Sequence, residues 1–267
     1  MKTHRPSALR LLCLLFSVTR LAAIDIADSG ATGNQVNFGG SYTQNFDSLL
    51  ASTGPGGASF VSDSTLPGWY STQSGYGANW ISGGLGSYGT GSDRALGSVA
   101  ANWALRFVNT SSQTISGFSV SYDVEQWYRA ANSPQGTNTL HFYYIVYSAT
   151  VSQVQEVGNI LGPGWTHVAE ATFTSPNASL TTASVLDGNL PENQGRISAT
   201  ITGITLAPGQ KLWLGWATFD EPGNDHAFGT DNVSVSFSAI PEPATFAALL
   251  GMGSLAFACG RRGRRSV

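Results

Sequence analysis

Along residues 118–129 apolar and polar positions alternate. Phe118, Val120, Tyr122 and Val124 share one side, and Ser119, Ser121, Asp123, Glu125, Trp127 and Arg129 the other. A period of two is that of a strand with one buried face. Residues 140–147 repeat the pattern, with Leu140, Phe142, Tyr144 and Val146 facing the core and His141, Tyr143, Ile145 and Tyr147 facing away. Similar runs, rich in Val, Thr, Ile and aromatic residues and separated by Gly, Pro, Asn and Ser, predict strands over Ala58–Val61, Ala101–Asn109, Ser116–Trp127, Thr139–Ser148, Thr166–Thr174, Arg196–Ile204, Lys211–Ala217 and Asn232–Ser238. No window of a dozen residues between the termini carries a helical period, so alternating strand–helix architecture is not expected. The pattern predicts an all-β body, a single antiparallel β-sandwich with jelly-roll-like wiring. Residues 24–45 read as a flexible polar lead-in without a strong strand. Gly75–Gly97, with eight glycines around Tyr76, Trp80, Tyr88 and Arg94, reads as a long aromatic-bearing loop rather than a phosphate loop, since no Lys-Ser/Thr pair or helix follows it.

The two ends follow different patterns. Residues 1–23 have a basic start (Lys2, Arg5, Arg10), a short apolar stretch (Leu11–Val18) and small residues at Ala22 and Ala23, the layout of a cleavable signal peptide. Residues 241–267 begin with Pro241-Glu242-Pro243, which is incompatible with helix. Seventeen uncharged residues, 244–260, then predict a transmembrane helix of roughly 25 Å, near the short limit for a bilayer core. Arg261, Arg262, Arg264 and Arg265 close the chain and would hold that end on the cytoplasmic side.

Ile240-Pro241-Glu242-Pro243-Ala244-Thr245, the run Leu249–Phe257 and Arg261-Arg262 resemble, in order and position, the PEP-CTERM protein-sorting domain of bacteria. The resemblance covers about a tenth of the chain. It implies recognition of Pro241, Glu242, Pro243, Arg261 and Arg262 by a membrane-embedded exosortase, with the inner membrane as a transient partner. It further implies cleavage near the motif and delivery of residues 46–240 to the cell surface or the medium, in bacteria that make exopolysaccharide.

Removing both ends changes the charge balance. Eight of the 13 Lys+Arg lie in the terminal segments but only Glu242 of the 16 Asp+Glu does, so residues 24–240 carry five basic and fifteen acidic side chains, a net −10. Such a body lacks the clustered positive charge that nucleic acid or an anionic membrane requires. Cys13 and Cys259 both lie in the ends, so no disulfide is available to the body, and about 217 residues suffice to bury a core without one.

Candidate chemistry sits on the outward positions. If the strands around residues 118–129 and 139–148 pair, Glu125, Trp127, Arg129, His141 and Tyr143 merge into one surface. Aromatic planes there would stack on pyranose rings while charged groups bond hydroxyls, as extracellular polysaccharide binding needs. The competing reading is that Arg129 lies over Trp127 and closes onto Glu125, with the indole packed under a loop. A second cluster runs through Asp220-Glu221-Pro222-Gly223-Asn224-Asp225-His226 to Asp231. Hard cations take oxygen ligands from such loops. The body bears a general resemblance to jelly-roll carbohydrate-binding modules, resting on Asn45-Phe46-Asp47 and Asp231-Asn232-Val233-Ser234-Val235, and this implies a structural calcium with Asp47 and Asp231 as ligands; the alternative is an ordinary acidic turn. A glycan-active hydrolase would need two placed carboxylates, Glu125 with Glu170 or Asp225. No nucleophile elbow, zinc-protease helix or body cysteine is present. The sequence therefore points to a non-catalytic glycan-binding or structural module of the exopolysaccharide layer, with a secreted hydrolase as the alternative.

Overall fold

The computed structural model describes residues 23–54, 56–131, 137–147, 163–220 and 223–239. The signal segment (apart from Ala23), the Pro241-Glu242-Pro243 motif and the expected membrane helix lie outside them. Among the described residues no helix is long and apolar enough to cross a membrane.

Seventeen strands follow in chain order: β1 (Ile24–Ala27), β2 (Gln35–Asn37), β3 (Ser41–Gln44), β4 (Ala58–Ser59), β5 (Trp69–Ser71), β6 (Gly75–Ala78), β7 (Leu85–Tyr88), β8 (Ala95–Ser98), β9 (Asn102–Asn109), β10 (Ile115–Arg129), β11 (Thr139–Tyr147), β12 (Thr166–His167), β13 (Phe173–Thr174), β14 (Ser184–Val185), β15 (Gln194–Leu206), β16 (Lys211–Thr218) and β17 (Ala227–Ala239). They form two sheets. One runs β12-β11-β16-β9-β1-β2, with β13 on β11 and β5 on β9; the other runs β14-β10-β17-β8-β7-β6-β4, with β15 on β10 and β3 on β17.

The alternation read from the sequence places side chains as expected. Phe118, Val120, Tyr122 and Val124 of β10 are buried in the core with Leu140 and Phe142 of β11. Contacts between the layers hold the sheets face to face: Phe118 meets Tyr144 edge-on at 5.5 Å, and Tyr122 meets Trp216 at 5.5 Å. Trp216 also stacks on Trp69 at 5.3 Å and abuts Phe142 at 5.3 Å, so one indole joins β5, β10, β11 and β16. Its neighbour in register, Trp103, donates its indole N–H across the core to Thr230 Oγ1 at 3.1 Å.

Several expectations need correction. The sheets are mixed, not purely antiparallel, because β1 runs parallel to both β2 and β9, and β6 parallel to β7. Residues 24–45 are not a strandless lead-in: β1, β2 and β3 lie there, and Ile24, Ile26 and Val36 are buried. Their partners are β9 and β17, far along the chain, so a local reading sees only the Gly/Asn dilution. Gly75–Gly97 is not a loop but carries β6, β7 and β8. Its glycines mark close approach: a Cβ on Gly97 would lie 1.8 Å from the Phe228 carbonyl oxygen of β17. The strand expected over Thr166–Thr174 is broken by a single 3₁₀ turn, Ala169–Ala171, into β12 and β13.

The largest correction concerns β10 and β11. They do not pair, because β10 belongs to the nine-stranded sheet and β11 to the eight-stranded one. Each strand has one strongly apolar face, and these two faces cover one another across the core. Their polar faces consequently look out from opposite sides of the molecule.

Candidate functional site

Outward positions of the eight-stranded sheet carry a run of aromatic and imidazole side chains. Register aligns His167 of β12, Tyr143 of β11, Gly215 of β16, Ala104 of β9 and Tyr70 of β5 in one row. The next row aligns Ile145, Trp213 and Arg106. Where Gly215 and Ala104 supply no bulk, the neighbouring large rings close over the sheet: Tyr70 and Trp213 lie 4.7 Å apart and both are buried. Arg106, also buried, places its guanidinium 4.7 Å from the Tyr70 ring and 5.5 Å from that of Trp213. Its counter-ion is Asp63, at 3.5 Å.

Beside this packed centre lies an accessible edge. His141, Tyr143 and Phe219 are half-buried and His167 is exposed. The His167 ring sits 4.9 Å from Tyr143 and 5.2 Å from His141, and Phe219 meets His141 edge-on at 4.7 Å. The nitrogens His141 Nδ1 and His167 Nε2 are 3.2 Å apart. Burial, followed by the charge of His167, lowers the His141 pKa, and burial raises that of Tyr143. Tyr147 and Trp165, both half-buried, pack against the Tyr70–Trp213 cluster. Among the described residues, Arg106 Nε, Trp213 Nε1 and Trp165 Nε1 have no hydrogen-bond acceptor.

Glu125, Trp127 and Arg129 lie on the other side of the molecule, so the five residues read as one surface divide between two. Trp127 is buried, with its ring parallel to that of Tyr88 (12°, centroids 6.2 Å). Its indole N–H donates to Glu125 Oε2 at 2.9 Å. The turn at Gly188 covers it, where an added Cβ would fall 2.5 Å from the indole. Trp127 thus packs under a loop, but without the arginine: Arg129 Nε donates instead to the Thr182 carbonyl. A cavity of about 230 Å³ opens beside the two rings, walled by Ile81, Val185 and Leu186.

Glu125 is therefore not poised over a groove. It is 4% exposed, and burial pushes its pKa to about 8, with Asp231, Asp93 and Asp123 as the carboxylates that add to the shift. Neither proposed second carboxylate is among these. Asp225 Oδ1 instead accepts from Asn138 Nδ2, and Glu170 sits in the 3₁₀ turn beside β12.

The calcium expectation meets a similar obstacle. Asp231 is buried on β17, its pKa pushed to about 7 chiefly by desolvation, while Oδ2 accepts from Asn232 and Oδ1 lacks a partner among the described residues. Asp47 accepts from the Arg94 backbone N–H at Oδ1 and from Asn45 Nδ2 at Oδ2. Among the described residues no three His, Cys, Asp or Glu side chains converge on a point that could hold a metal ion. Of the four carboxylate oxygens, Asp231 Oδ1 alone is without a partner among the described residues, where calcium takes six to eight oxygens.

Sequence reasoning found His141 and Tyr143 but missed His167, Phe219, Tyr70 and Trp213. His167 fell within an expected strand, yet its neighbours become visible only when β11 and β12 are paired.

No protein-family model matches the chain, and no curated protein sequence does. Among solved structures, it is similar to the CBM22-2 xylan-binding domain of Paenibacillus barcinonensis Xyn10C at 14% identity, with 68% of this chain and 98% of that one covered and a TM-score of 0.36. The xylan-binding module CBM15 gives 9% identity over 64% and 92%, with a TM-score of 0.33. The K3 adhesin domain of Lys-gingipain from Porphyromonas gingivalis gives 16% over 63% and 91%, again 0.33. None superposes closely enough to transfer a ligand or a site.

Proposed function

We propose that the protein is exported, sorted by an exosortase, and displayed at the cell surface or released, where its β body binds extracellular polysaccharide without catalysis. The observation that carries the binding assignment is the accessible aromatic edge formed by His141, Tyr143, His167 and Phe219, flanked on the same sheet face by the buried Tyr70–Arg106–Trp213 cluster. Planar groups held on a rigid sheet stack on the apolar faces of sugar rings at little cost in side-chain entropy, and the ring nitrogens and phenol supply directional bonds to hydroxyls. The terminal segments support the export and sorting parts: a basic-apolar-small start, and Pro241-Glu242-Pro243 followed by an uncharged run and an arginine cluster.

The binding test is retention of the full-length chain on the exopolysaccharide of its own host, beside Tyr143→Ala and Phe219→Ala. Retention by the wild type and its loss in both variants is expected. Equal retention of all three would move binding away from this edge, and no retention by the wild type would remove the glycan reading. For sorting, the intact mass of the mature protein from its host should exclude Arg265; a mass that still contains it would refute exosortase processing.

A further inference from the structure

The geometry points to a transition-metal site at His141 and His167, a pair of imidazoles on adjacent strands that together bind one borderline divalent ion such as zinc or copper. Tyr143 of β11 is directly opposite His167 of β12, which places His141, two residues before Tyr143, on the same face and diagonal to it. The two ring nitrogens that face each other are 3.2 Å apart. Zinc–imidazole bonds run about 2.0–2.1 Å, and two of them at a tetrahedral angle leave their nitrogens about 3.3 Å apart. The pair therefore already has the separation that two ligands of one ion require, and insertion of the ion needs the rings only to tilt their lone pairs toward a common point.

Two further features suit the pair to this task. Both rings are held in place, His141 by the edge of Phe219 at 4.7 Å and His167 by Tyr143 at 4.9 Å, so little freedom is lost on binding. The site is open, since His167 is exposed and His141 half-buried, and an ion can reach it from solvent. Imidazole favours zinc, copper and nickel over the hard cations that a carboxylate cage takes. No third His, Cys, Asp or Glu joins the pair among the described residues, so the remaining positions go to water and the affinity is that of a two-ligand site.

This assignment does not depend on the glycan reading, and its test uses no sugar. Metal-free full-length chain is titrated with copper(II) at pH 7.5 by calorimetry, and the complex is examined by electron paramagnetic resonance for coupling to two imidazole nitrogens. One ion per chain is expected, weakened by about tenfold or more in His167→Ala and in His141→Ala. The exposed His167 makes the first variant safe for the fold, and its thermal melt without metal should match the wild type. Unchanged affinity in His167→Ala, or a spectrum without imidazole coupling, would overturn the site and leave a plain hydrogen-bonded pair.

Discussion

At the scale of the residue, the most unusual groups are two buried carboxylates, Glu125 at the Trp127 indole N–H and Asp231 on β17. Burial pushes Glu125 and Asp231 up to about 8 and about 7 from the ordinary carboxylate values of 4.5 and 3.8, so the folded chain holds more protons than the unfolded one across that range. Stability attributable to them is present at low pH and lost as pH rises through the folded values. His226 works in the opposite sense. Buried with a pKa of about 4 against 6.5, it removes stability as pH falls below 6.5. Between pH 6.5 and 8 the carboxylates act alone, and there the urea midpoint should fall, with a slope of at most about 1.4 kcal/mol per pH unit for each group. Glu125→Gln keeps an oxygen for the Trp127 N–H and should flatten that decline. An equally steep fall in the variant would show that Glu125 is not protonated in the native state. The sequence placed Glu125 next to Trp127 on one strand face and left open whether a loop covers the indole; what covers it, the turn at Gly188 and the Tyr88 ring, comes from distant segments.

Elements tell a similar story about glycine. A Gly-rich run reads as a loop because glycine weakens strands, yet β6, β7 and β8 need it where strands pack closely. Gly97 is paired with Gly229 of β17 and has no room for a side chain. Gly97→Ala should cost about 1–3 kcal/mol through overpacking. Gly54→Ala, where nothing lies within 4 Å of the new Cβ, should stay within about 0.5 kcal/mol of the wild type. Thermal melts of the two variants decide this, and equal melting temperatures would mean that β8 is not held against β17 as described. Long strands with a strict period were legible: β9, β10, β11, β15 and β16 fall on expected segments within two residues at each end, whereas β17 starts five residues before the expected Asn232. Strands of two to four residues were mostly not, because a period cannot be read from so few positions.

At the scale of the whole molecule, stability rests on aromatic contacts that join layers. Trp216 touches Trp69, Tyr122 and Phe142, and so ties both sheets together. Trp216→Ala should cost about 3–5 kcal/mol in a denaturant titration; a loss below about 1 kcal/mol would mean that the layers do not depend on this contact. The amino-acid sequence by itself determined the all-β class, the long strands, which side of β10 and β11 faces inward, and the acidic charge of the body. Those properties follow from local alternation and composition. Which outward faces share a surface was decided only by the tertiary structure. Strand period says that a side chain points away from the core but not which sheet carries the strand, and the covering of one apolar face by the other sent Trp127 and Tyr143 to opposite sides. Lateral pairing of β12 with β11 inside one sheet brought His167 to His141, a contact that no reading along the chain contains.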